Sequence, residues 1–162
     1  MRVLPLVFAA VLVWVVGSGL WYAANGSSGP VLQSFGSYRL TQATTGQEAV
    51  AQMSRLHGKG VGVTGGYVGH YEGPSGGAMA YVGETAGEGD ARTLLAQMER
   101  LIAAGNPYFT DLKPLTIDGV RVLSVRSGQE AHYFWQAGNK VVWIGFDQED
   151  PAGISAAVQA FR

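Results

Sequence analysis

The chain has 162 residues, of which 47% are hydrophobic, and a formal net charge of −1. This length fits one domain, and the composition excludes an intrinsically disordered chain. The absence of cysteine excludes disulfides, thiolate catalysis, thiolate-bound iron–sulfur clusters, c-type haem attachment and a lipid-modified N-terminal cysteine. No basic run stands out, so we expect no nucleic-acid partner.

The content of charged residues is low, at 14% against about 25% in typical domains. Two interpretations stay open. Part of the surface is covered by a partner or lies close to lipid headgroups, or the surface is simply neutral and rich in glycine, which contributes 24 residues.

An uncharged segment, residues 3–24, follows Arg2 at the start of the chain. As a helix rising about 1.5 Å per residue it would be about 33 Å long, enough to cross a bilayer. Arg39 is the next basic residue, so the positive-inside rule predicts a cytoplasmic N-terminus and an extracytoplasmic remainder. Residues 1–24 are therefore predicted to be a membrane anchor helix in the lipid bilayer.

A cleaved secretory signal is the alternative, with residues 3–16 as its apolar region and small residues at 17–19. The domain would then be secreted or periplasmic. Within the predicted anchor, interfacial aromatic rings and a small-xxx-small pair mark candidates for anchoring or helix packing. These candidates are Trp14, Gly19, Trp21, Tyr22 and Ala23.

Residues 25–44 are predicted to be a linker and an extended entry segment, and residues 45–162 an extracytoplasmic α+β domain. Three helices are expected there, because each shows a start signal followed by apolar residues at helical spacing. The signals are the capping box Thr45-x-x-Glu48 with a stop at Gly58, Asp90 as N-cap with a stop at Gly105, and Asp150 as N-cap before Pro151.

Five strands are expected between the helices. A hairpin uses residues 61–71 and 78–84, and three later strands use residues 120–126, 131–136 and 140–146. The resulting order is αββαβββα. Hairpin-linked strands favour an antiparallel sheet, and we expect the amphipathic helices to cover one face of it. The predicted fold is therefore a transmembrane helix followed by a two-layer α+β domain, of which a ferredoxin-like plait is one form.

Patterns that would indicate catalysis or a cofactor are weak. Residues 60–65 match G-x-G-x-x-G, but a dinucleotide site needs a strand before this motif and a helix after it. A glycine-rich strand that permits close packing is the preferred interpretation. The histidines, His57, His70 and His132, form no metal-binding motif. We therefore predict no catalytic, cofactor-binding or metal-binding residues.

The aromatic strand pair near the C-terminus is the most unusual feature. Strand alternation places Tyr133 and Trp135 on one side and His132 and Phe134 on the other, with Trp143 across the turn. With helices on one face only, rings on the other face would be exposed. These five residues are therefore predicted to form a partner surface. The alternative is coverage by residues 31–44 or 105–116.

These features favour a non-enzymatic, single-pass membrane protein that is an accessory or structural subunit of a larger membrane protein complex. Its partners would be the other subunits and the bilayer. Two alternatives are an extracytoplasmic module that binds a small ligand or peptide, and an enzyme with an unrecognised site around His70 and Glu72. A dry aromatic groove would favour the binding module, and a deep polar pocket would favour the enzyme.

Overall fold

The structure is a computed structural model that describes residues 29–57 and 62–162. Within these residues, three helices pack against one eight-stranded sheet. The elements in chain order are β1 (Ser34–Phe35), β2 (Tyr38–Thr45), α1 (Gly46–His57), β3 (Gly65–Gly73), β4 (Gly76–Glu84), α2 (Glu88–Ala103), β5 (Thr110–Ile117), β6 (Val120–Ser127), β7 (Glu130–Ala137), β8 (Lys140–Phe146) and α3 (Pro151–Ala160).

The sheet is built from two antiparallel meanders that meet at its centre. The strand order is β1-β2-β3-β4-β8-β7-β6-β5, and every neighbouring pair is antiparallel. The central contact joins β4 and β8, where Ala80 lies opposite Ile144. The sheet curves into a half-barrel. At one edge the two-residue strand β1 pairs with the start of β2, and β5 forms the other edge.

One face of the sheet, which we call the α3 face, holds the larger aromatic core. The rings of Phe35 and Tyr38 stack with centroids 5.0 Å apart, and Phe146 approaches Tyr38 edge-on at 5.4 Å. Asp150 and Pro151 begin α3 as expected from the sequence. The Gly153 N–H donates to Asp150 Oδ1 at 2.8 Å, and Pro151 occupies the first turn. The helix then buries its apolar stripe in this core.

The first described residues, 29–33, also close the α3 face. The Leu32 N–H donates to the hydroxyl of Tyr67 at 3.2 Å, and the Tyr71 hydroxyl donates to the Leu32 carbonyl at 2.8 Å. The Gly29 N–H donates to Glu84 Oε1 at 3.0 Å. The bonds to Leu32 satisfy the hydroxyl groups of two buried tyrosines. Residues 29–33 are therefore part of the packed core of the α3 face.

The opposite face, which we call the α1/α2 face, is covered by two separate helices. Ala49 and Met53 of α1 pack against Val68. Helix α2 packs over the other half of the sheet, and its buried cluster comprises Ala91, Leu95, Met98, Leu123, Val125, Phe134 and Val141. The two helices therefore cover different halves of one face.

The predicted two-layer arrangement with helices on one face, including its ferredoxin-like form, is wrong. Helices lie on both faces, and the observed order is ββαββαββββα. The physical reason is visible in β7, where residues 131–135 are all buried. A strand that is buried on both sides requires a helix layer on each side, and its continuous apolar run is the sign of this.

Element predictions were confirmed where local signals are strong. The hairpin of β3 and β4, the strands β6, β7 and β8, and α3 lie close to their predicted positions. Helix α2 begins at Glu88, after Gly87, so Asp90 as its N-cap is wrong. The glycine-rich strand permits close packing as expected, since a Cβ at Gly69 would lie 2.7 Å from the Tyr71 ring.

The membrane-spanning part of the predicted fold class needs correction, together with the description as a single-pass membrane protein. In residues 29–57 and 62–162, none of the helices has the length and apolar character needed to cross a bilayer. The segment predicted to be the anchor, residues 1–24, lies outside the described residues.

Candidate functional site

An apolar crevice runs between α1 and α2, over the centre of the sheet. Its cavity volume is about 40 Å³, and its lining residues are Met53, Val63, Tyr81, Gly83, Leu94, Met98, Val141 and Trp143. Tyr81 and Trp143 lie opposite each other on β4 and β8, and both side chains are partly exposed. The crevice is therefore a place where the α1/α2 face is incompletely covered.

The walls of the crevice come from α1 and α2, and a glycine opens its floor. Leu94 and Met98 are one turn apart on α2 and line it together. Leu101 continues the same helical stripe three residues after Met98, and 69% of it is exposed. At Gly83 a Cβ would lie 2.7 Å from Val63 Cγ1. A larger residue there would displace Val63 from the crevice wall.

Trp143 is held in place by a short polar chain. Its indole N–H donates to His132 Nδ1 at 3.2 Å, and His132 Nε2 lies 3.0 Å from Glu130 Oε2. Because an indole only donates, Nδ1 accepts, and the neutral ring carries its proton on Nε2 and donates to Glu130. Phe109 packs against both His132 and Trp143, with ring centroids 5.3 and 5.0 Å away.

Gly145 makes room for this arrangement. It lies opposite His132 on the neighbouring strand, and a Cβ there would lie 2.6 Å from His132 Nδ1. Burial lowers the pKa of His132, while the nearby Glu130 carboxylate opposes that shift. The neutral ring is therefore favoured. Both of its nitrogens already have partners, so the chain positions Trp143 and offers no free base for acid–base catalysis.

The hypothetical enzyme site around His70 and Glu72 lies apart from His132. His70 lies on β3 and His132 on β7, and β4 and β8 separate these strands. Burial lowers the pKa of His70. In the part of the chain that the structure describes, no group of three or more His, Cys, Asp or Glu residues could hold a metal ion.

The predicted partner-surface residues are divided between the two faces. Tyr133 and Trp135 belong to the core of the α3 face, whereas His132, Phe134 and Trp143 lie on the α1/α2 face. All except Trp143 are buried within the domain. Phe109 covers rings on one face, and residues 31–35 cover rings on the other. Both segments lie within the ranges, 105–116 and 31–44, that the alternative interpretation named as cover. A partner contact at these residues stays a prediction.

The five anchor and helix-packing candidates, Trp14, Gly19, Trp21, Tyr22 and Ala23, lie outside the described residues. Sequence reasoning missed the crevice itself. Met53, Leu94 and Met98 belong to the apolar stripes at helical spacing from which α1 and α2 were predicted. Their shared location depends on α1 and α2 covering the same face, and no local pattern reports this.

Comparison with known proteins gives no relative for this chain. No family model matches it, and neither the curated proteins nor the solved structures contain a significant match.

Proposed function

We propose that this protein is a non-enzymatic protein-binding domain and serves as an accessory or structural subunit of a larger assembly. The crevice between α1 and α2 would receive apolar side chains from the partner. The uncharged segment of residues 3–24, which follows Arg2, supports a location outside the cytoplasm.

The partly uncovered apolar floor and walls of the crevice are the observation that carries this proposal. Tyr81 and Trp143 form the floor, and Met53, Leu94 and Met98 lie around it. Tyrosine and tryptophan are enriched at protein interfaces, and the flexible side chains of the buried Met53 and Met98 can shift to fit a partner's shape. Leu101 adds a strongly exposed apolar side chain on the same stripe of α2.

The size of the crevice favours a partner's side chains over a small-molecule ligand. Its volume is about 40 Å³, whereas sites for drug-sized ligands measure roughly 300–1,000 Å³. The polar chain from Glu130 through His132 fixes the Trp143 ring before a partner arrives. Such preorganisation reduces the entropy lost on binding.

Site-specific photo-crosslinking in cells that make the protein tests this proposal. A photoreactive amino acid replaces Leu101, one turn beyond the crevice residue Met98 on α2, or Ala152 on the exposed side of α3 as the matched control. We expect adducts with another protein from position 101, little adduct from position 152, and loss of the first adduct when Leu94→Arg is added. Equal crosslinking from both positions, or an adduct that persists in the Leu94→Arg chain, would contradict the proposal.

A further inference from the structure

The two edges of the sheet differ in whether another strand can pair with them. The β5 edge carries three features that oppose pairing. Lys113 is charged, Pro114 lacks a backbone N–H, and the register shifts between Thr110 and Lys113. Asp111, inside this irregularity, has a positive φ of 57°. Charge, proline and bulges are the devices by which natural edge strands avoid edge-to-edge association.

The β2 edge is more open. Strand β1 covers only its beginning, where Phe35 lies opposite Tyr38 and the Leu40 N–H donates to the Gln33 carbonyl at 2.9 Å. From residue 41 to residue 45, no strand of the described chain lies on the outer side. This stretch reads Thr-Gln-Ala-Thr-Thr, without charge or proline, and all of it is exposed except Thr44, which is half-buried. A single bulge at Thr41 is its one irregularity.

We propose that this edge pairs with the same edge of a second copy of the chain. The two β2 strands would run antiparallel about a two-fold axis at Ala43, which continues the sheet from one copy into the other. In this register Thr41 lies opposite the second copy's Thr45, and Gln42 lies opposite its Thr44. No charged residue faces its own copy, and threonine pairs are favourable neighbours across strands.

The charges that flank the edge fit this arrangement. Arg39 precedes the open stretch, and Glu48 follows it in the first turn of α1. Both side chains are exposed. Arg39 Nη1 already donates to the carbonyls of Gly36 and Tyr38 in its own chain, at 2.9 and 3.1 Å, so a second copy would meet the other guanidinium nitrogens. Antiparallel pairing about Ala43 brings Arg39 of one copy towards the start of α1 in the second copy, close to its Glu48, at both ends of the interface. A parallel alignment would instead place Arg39 beside Arg39.

The open stretch is short, so the interface is small and the dimer should be reversible. Stable protein interfaces bury about 1,200–2,000 Å², which one short pair of strands does not reach. We therefore expect a concentration-dependent equilibrium between one and two chains. This proposal is independent of the crevice, which lies between the helices of the α1/α2 face.

Sedimentation of the purified full-length chain tests the dimer, and a charge swap at Ala43 tests its register. The wild-type chain should approach twice its 17.1 kDa at high concentration. Ala43→Lys and Ala43→Asp should each raise the dissociation constant at least about tenfold, because like charges would face each other at the axis. An equal mixture of the two variants should recover the dimer. Thr116→Lys, an exposed position on β5, should leave the mass unchanged.

The recovery in the mixture separates loss of pairing from loss of folding, since two unfolded variants could not restore a dimer. A wild-type chain that stays at the mass of one chain at its highest soluble concentration would overturn the proposal. So would a dimer that survives in both Ala43 variants, or a mixture that fails to recover it. The crevice variant Leu94→Arg should keep the wild-type mass, so failure of the proposed function and failure of this dimer remain distinguishable.

Discussion

The two faces of the sheet are closed in different ways. On the α3 face, aromatic rings contact one another, and the hydroxyls of Tyr38, Tyr67 and Tyr71 bond to groups of the same chain. On the α1/α2 face, two helices cover separate halves and leave Tyr81 and Trp143 partly exposed between them. The described residues bury the apolar surface of the α3 face within the domain, whereas part of the apolar surface of the α1/α2 face stays exposed to solvent.

The difference also appears in how the polar groups are used. The Tyr38 hydroxyl donates to Asp150 Oδ2 at 2.8 Å, and Asp150 also caps α3. Burial, followed by the bond to Asp150, raises the pKa of Tyr38 to about 12. On the α1/α2 face, the chain from Glu130 through His132 instead ends on the partly exposed indole of Trp143. The bonds of Asp150 hold α3 against the core, and the bonds of His132 orient the partly exposed ring of Trp143.

Removal of one tryptophan ring from each face, buried Trp135 or partly exposed Trp143, should produce the largest contrast in stability. Trp135 on the α3 face is 1% exposed, so Trp135→Ala should lower the free energy of unfolding by about 3–5 kcal/mol. Trp143→Ala should cost clearly less, because part of that ring already contacts water. Urea unfolding monitored by far-UV circular dichroism measures both values. Equal losses would show that the two faces contribute alike to folding.

The next effect concerns the polar network of the α3 face. Asp150→Ala removes the acceptor for the Gly153 N–H and for the Tyr38 hydroxyl. We expect a loss of about 1–2 kcal/mol in the free energy of unfolding. Asp90→Ala is the matched control, because it changes an acidic residue in the first turn of α2 whose N-cap is Gly87. That change should cost only a few tenths of a kcal/mol. A cost for Asp90→Ala that matches the cost for Asp150→Ala would contradict the assigned role of Asp150.

Local chemistry accounts for the parts of the fold that the sequence predicted. Asp150 and Pro151 define the start of α3 through a cap and a fixed φ, and both effects act within one turn. The turn at Gly138-Asn139 fixes the pairing of β7 with β8 in the same way. Such signals depend on neighbours in sequence, so they can be recognised without a structure.

The missed parts depend on contacts between distant segments. Strand β5 was not among the five predicted strands. Pro114 lacks a backbone N–H and argues against a strand, and only an edge position makes such a strand acceptable. The placement of α1 and α2 on one face and α3 on the other depends on strand order, which β4 and β8 set by meeting at the centre. The crevice follows from that placement, so local sequence patterns could not predict it either.

The smallest predicted effect is a dependence of stability on pH that belongs to the α1/α2 face. His132 lies on this face, and strand alternation places His70 on the same side of β3 as Val68, which packs against α1. Burial lowers the pKa of both His132 and His70 from 6.5. Well above pH 6.5 both rings are neutral in the folded chain and in the unfolded chain. Their full contribution to the free energy of unfolding is then present and does not change with pH. Below that pH the unfolded chain binds protons that the folded chain resists. The free energy of unfolding should therefore fall as the pH drops from about 7 to about 5.

Single substitutions separate this effect from that of the α3 face. His70→Gln and His132→Gln should each flatten the fall in the free energy of unfolding between about pH 7 and about pH 5. For His132, protonation of Nδ1 also removes the acceptor of the Trp143 indole, so tryptophan fluorescence should change in the same pH range. Asp150 acts in a different range, because hydrogen bonding from the Gly153 N–H lowers its pKa from 3.8, and its contribution is lost only as the pH falls below about 4. A wild-type profile that stays flat down to about pH 5, or one that both histidine variants reproduce, would show that the α1/α2 face does not sense pH through these rings.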